Sequence, residues 1–85
     1  MSRQNTNFLK IVAEEQKLVA LEYQNEAWIG GMLNGIDPKI LASAAFDTAL
    51  RHLLKTQSEA SALDLLRQMH DKVIMGEFSA HKTLQ

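Results

Sequence analysis

Eighty-five residues without a cysteine exclude a disulfide framework, a thiolate nucleophile and a thiolate metal site. Nine basic residues stand singly among ten acidic ones, without the basic stripe used to bind nucleic acid, and no apolar run approaches the roughly 18 residues of a membrane span. The expected setting is cytoplasmic, with neither leader nor anchor, and a chain this short buries only about 60–65% of its unfolded surface, so association is expected to supplement its own core.

From Thr6 to about Leu33, apolar residues recur at Phe8, Ile11, Val12, Leu18, Val19, Tyr23, Ile29 and Leu33, the period of a helix with one apolar face. Leu21, Trp28 and Met32 widen that face into a broad arc. Gly30, Gly31 and the pair Asn34-Gly35 then place the end of the helix between Gly30 and Asn34. Glycine is costly inside a helix, and Asn-Gly favours the left-handed or turn conformation that closes one. Asp37-Pro38 gives the opposite signal: the carboxylate accepts amide bonds as an N-cap, and proline at the first helical position loses no hydrogen bond.

The second helix is expected from Pro38 to about Lys55. Its polar stripe is narrow, with Ser43, Asp47, Arg51 and Lys55 at intervals of four and Asp47 placed to pair with Arg51. The remaining arc, including Ile40, Leu41, Phe46, Leu50, Leu53 and Leu54, predicts a central helix packed on more than one side. The segment TQSE, Thr56–Glu59, has the form of a capping box, which predicts a third helix from about Gln57 to Met75. A continuous helix from Pro38 onward is the alternative, since neither Gly nor Pro separates the two. Ala62, Leu65, Leu66, Met69 and Val73 share one face of the third helix, with Asp64, Arg67, Gln68, Asp71 and Lys72 opposite. Gly76 stops the helix, and Phe78 is the docking residue of the tail that follows, residues 76–85.

The glycine-rich stretch Ala27–Lys39 does not suit a bound phosphate. Pro38 offers no amide at the first helical position, and the Lys-Ser/Thr pair of a phosphate loop is missing. It reads as the joint between two helices, flanked by Trp28 and Met32 as a candidate hydrophobic anchor. Gly31 and Gly35, four apart, have the spacing of a close helix contact, but Asn34-Gly35 sits where the helix should already have ended. Glu15, Glu22 and Glu26 fall within the apolar stripe of the first helix. Inward carboxylates build di-metal sites in bundles, but those sites pair Glu with Glu-x-x-His segments. None is present, and Glu77 and His81 lie in the tail. No metal or other cofactor is therefore expected; the glutamates line the edge of the apolar face or pair with Arg or Lys across an oligomer interface.

RHLLKT, Arg51–Thr56, resembles the active helix of histidine phosphotransfer domains, helical bundles that present a His with Lys three residues later and then a Gly. His52 and Lys55 match the first two positions, and Thr56 stands where the Gly is expected. The resemblance implies a phosphoacceptor role for His52. On the helical wheel, however, His52 lies between Leu41 and Ala45, which predicts a core or interface histidine, and His70 reads the same way. The cysteine-free pattern of a helix, a turn with DPKIL and an apolar second helix is also similar to needle and inner-rod subunits of type III secretion, implying a filament subunit. The serines occupy caps or exposed faces without an evident base, so no catalytic residue is expected.

Together these features predict an all-α, single-domain three-helix bundle, self-associated as a two-fold dimer. The expected function is non-enzymatic: an adaptor, inhibitor or regulator that docks a helical face onto another protein. Its candidate partner-binding residues are Trp28, Met32, Phe46 and Tyr23, and neither nucleic acid nor membrane is an expected partner.

Overall fold

Among the described residues there are three helices: α1 is Ser2–Leu33, α2 is Pro38–Leu53 and α3 is Glu59–Ile74. The computed structural model describes residues 2–79, with side chains from residue 7 onward, and contains no strand among them. Phe78, the expected docking residue of the tail, is exposed and not docked, and residues 80–85, His81 included, lie outside the described residues. The chain divides into two compact units, the first ending at Ser43 and the second beginning at Ala44, within α2.

In the first unit, α1 starts about a turn earlier than the apolar pattern at Thr6 suggested. No Gly or Pro in Ser2–Thr6 interrupts the helix. Its C-terminus falls where the glycines placed it, closed by a Schellman motif. The Gly35 amide donates to the Met32 carbonyl at 3.0 Å and the Ile36 amide to the Gly31 carbonyl at 3.1 Å, while Gly35 turns left-handed at φ +77°. The Asn34 side-chain amide donates to the Gly30 carbonyl at 2.9 Å, covering one more of the terminal acceptors. Two residues on, the Asp37 carboxylate accepts the Lys39 amide at 2.8 Å, so α2 begins at Pro38 with the cap expected of Asp-Pro.

The adjacent glycines have different tasks. A Cβ on Gly30 would meet nothing within 4 Å, whereas one on Gly31 would overlap the Leu41 side chain. Gly31 thus lets the start of α2 approach the end of α1. Gly30→Ala should gain up to about 1 kcal/mol of helix propensity, and Gly31→Ala should lose that gain and more by displacing Leu41. Urea unfolding should rank Gly30→Ala above Gly31→Ala by about 2 kcal/mol, with wild type between them.

In the second unit, Arg51 and Asp47 form the expected pair at 2.8 Å. The end of α2 and the start of α3 depart from the expected bounds. α2 stops at Leu53 instead of Lys55, and the Thr56 and Gln57 amides both donate back to the Leu53 carbonyl, at 3.1 and 2.8 Å. The Thr56 hydroxyl donates to the same carbonyl at 3.5 Å, so this residue completes the preceding turn and does not cap α3. The N-cap is Ser58, in extended backbone, whose hydroxyl oxygen accepts the Ser61 amide at 3.1 Å. The helices are separate, without the continuous run that was the alternative. At the far end Gly76, φ +75°, closes a second Schellman motif. Its amide bonds Val73, and that of Glu77 bonds Lys72, each at 3.0 Å.

Burial departs most from the sequence expectation. Among the described residues only Ala62 of α3, 5% exposed, is buried. Leu66 and Met69 on the same face are half-buried, as are Leu50 and Leu53 on α2, and these form the sheltered side of the second unit. Leu65 and Val73, expected to share that face, are exposed. α2 holds no buried residue, and Ile40 and Phe46 of its apolar arc are 62% and 55% exposed. The sequence predicts that this arc is covered on more than one side; among the described residues Ile40 and Phe46 are left exposed.

Candidate functional site

The four residues expected to contact a partner are all exposed: Trp28 at 38%, Met32 at 45%, Phe46 at 55% and Tyr23 at 68%. Trp28 and Met32, one turn apart near the end of α1, occupy the same side of that helix. At about 100° per residue, Tyr23 lies some 140° around the helix from Trp28, so α1 presents apolar residues on two sides. Phe46 belongs to the second unit.

The Tyr23 side has a defined form. Val12, Glu15, Gln16, Val19, Ala20 and Tyr23 line a shallow trough along α1, open to solvent. Through it runs a regular alternation of four- and three-residue steps: Phe8, Val12, Glu15, Val19, Glu22, Glu26, Ile29 and Leu33. That spacing is the seam of a left-handed coiled coil. A stripe at 3.6 periodicity had placed the glutamates inside the apolar face. The 3.5 periodicity shows more: they occupy three of the four central seam positions, with Val19 between Glu15 and Glu22 and apolar residues at both ends.

This seam carries charge of one sign. The cations between Asn7 and Leu33 are Lys10 and Lys17, and both fall about 160–180° around the helix from Val19. Glu15, Glu22 and Glu26 are exposed, and none forms a hydrogen bond or ion pair with another described residue. The apolar seam residues Phe8, Val19, Ile29 and Leu33 are exposed as well. Chemically, the face offers dispersion contact and three carboxylates along one seam, which suits a complementary helix.

His52, in the last turn of α2, is exposed, which corrects the core half of the core-or-interface reading and leaves the interface half standing. His70 is exposed too, 3.2 Å from the Asp71 carboxylate through Nδ1. No cluster of His, Cys, Asp or Glu among the described residues has the spacing to hold a metal ion. No described helix is long and apolar enough to cross a membrane.

No protein-family model, curated protein or solved structure matches this chain. The functional reading therefore rests on the residues themselves.

Proposed function

We propose that the chain is a small non-enzymatic interaction module, an adaptor, inhibitor or regulator that works by docking helical apolar faces against protein and that also self-associates. One observation carries this reading: Ala62 is the sole buried residue among those described, while Trp28, Met32, Phe46 and many other large apolar side chains stand exposed. Exposed apolar surface on this scale marks an interaction surface in a soluble protein, and covering it contributes about 25 cal/mol per Å². Trp and Met are favoured at such contacts, and Trp28 with Met32 forms the natural anchor. A two-fold arrangement is the simplest self-complementary cover.

The test is absolute mass by light scattering during size-exclusion chromatography across a wide concentration range, with Trp28 fluorescence followed alongside. The expected result is a dimer at micromolar concentration with blue-shifted emission that moves red on dilution. A concentration-independent monomer with unshifted emission would remove self-association from the proposal.

A further inference from the structure

We infer that the glutamate-bearing seam of α1 docks a basic amphipathic helix from another protein and is not a face on which two copies of α1 pair. The inference rests on the interaction-module reading and names the chemistry of one partner.

Three seam positions in the middle of an otherwise apolar heptad face are carboxylates. Any helix that covers this face must either leave them unpaired or answer them with cations. A second copy of α1 leaves them unpaired in each orientation. Parallel and in register, Glu15, Glu22 and Glu26 each meet their own copy. Antiparallel, with Phe8 opposite Leu33, Glu15 falls opposite Glu26 and Glu22 opposite Val19. Displaced by one heptad, the carboxylates meet Phe8, Val12 and Val19. Lys10 and Lys17 lie on the far side of the helix, so no α1–α1 register brings a cation to the seam. Burying these charges without partners is strongly unfavourable, and like charges face to face suppress the wrong pairing.

A helix with apolar residues at most seam positions and Lys or Arg opposite the three glutamates meets both demands. Its apolar side chains complete the packing at each end. Its cations pair with carboxylates that have no described partner and are therefore free to turn toward it. The same charge pattern rejects an anionic lipid surface or nucleic acid, whose phosphates would meet carboxylates.

The test uses the full chain and two fluorescein-labelled synthetic helical peptides about four heptads long, with Leu at the seam except for three positions facing Glu15, Glu22 and Glu26. One peptide carries Lys at those positions, the other Glu. Anisotropy titrations should show the Lys peptide binding at least tenfold more tightly, with affinity falling as salt rises. In Glu15→Lys/Glu22→Lys/Glu26→Lys, whose substitutions are all at exposed positions, the preference should reverse in favour of the Glu peptide. Far-ultraviolet circular dichroism verifies that the variant remains helical.

Equal binding of both peptides, or a preference that survives charge reversal, would overturn the inference. So would displacement of the Lys peptide as the protein self-associates, which would put a second copy on the seam. Light scattering on the same samples separates the two levels. Self-association without any peptide preference overturns this assignment and leaves the interaction module standing, whereas a monomer that binds neither peptide removes this assignment and self-association together.

Discussion

Replacing the three seam glutamates together, Glu15→Leu/Glu22→Leu/Glu26→Leu, should convert α1 into a strongly self-associating helix. The substituted seam would read Phe, Val, Leu, Val, Leu, Leu, Ile, Leu from residue 8 to residue 33, an unbroken heptad pattern of the kind that drives coiled coils. Burying one leucine side chain contributes about 1.5–3 kcal/mol. Three per chain, after the cost of association and side-chain ordering, should strengthen pairing by on the order of 5 kcal/mol, between three and four powers of ten in Kd. Light scattering should show the oligomer persisting at nanomolar concentration, and thermal unfolding should become concentration-dependent. The glutamine version, Glu15→Gln/Glu22→Gln/Glu26→Gln, separates the causes. It removes repulsion but keeps polar groups at the seam, so it should strengthen pairing far less than leucine does. No change in the leucine variant would mean that the face is unavailable, and the role given to the seam would fall with it.

The joint between α1 and α2 was readable because each of its signals is local. Asn34-Gly35 and Asp37-Pro38 supply their own hydrogen-bonding solutions within a few residues, and the structure uses them: a left-handed Gly35 and an Asp37 cap on the Lys39 amide. The beginning of α3 was misread for an equally local reason. Two hydroxyl residues, Thr56 and Ser58, compete for the cap, and Thr56 remains tied to the Leu53 carbonyl of the helix before it. A capping-box spelling cannot show which neighbour has already claimed the side chain. Packing is a different matter. Periodicity identified Phe46 and Ile40 as apolar surface that must be covered, but it names no covering element, and in the chain alone both stay exposed. The glutamates were legible as members of the α1 stripe, while their heptad positions required reading the whole helix, including Phe8 and Leu33 at its ends, as one seam. The split of Tyr23 from Trp28 and Met32 follows from the same wheel and shows that a wide apolar arc can be two surfaces.

The second large effect is expected at Ala62, where Ala62→Asp should unfold the second unit. Ala62 is 5% exposed, and the residues sheltered with it, Leu50, Leu53, Leu66 and Met69, are apolar and only half-buried. A carboxylate at this position gains no described cation on its own helix face and is withdrawn from water. An uncompensated buried charge costs about 3–5 kcal/mol, comparable to all the stability a small core rarely exceeds. Far-ultraviolet circular dichroism should lose the helicity of α3, Glu59–Ile74, because an isolated helix of about four turns is marginal in water. Ala62→Ser, with nearly the same volume and a hydroxyl able to bond a carbonyl one turn back, should retain most of the signal. The contrast also bears on function. A unit with so small a core owes much of its order to whatever covers its outer apolar residues, so the proposed self-association should partly restore helicity in Ala62→Asp at high protein concentration. Restoration that scales with concentration would tie folding of the second unit to assembly. Complete loss of α3 helicity at every concentration would place its stability in the Ala62 contact alone, and full retention would show that the contact contributes little.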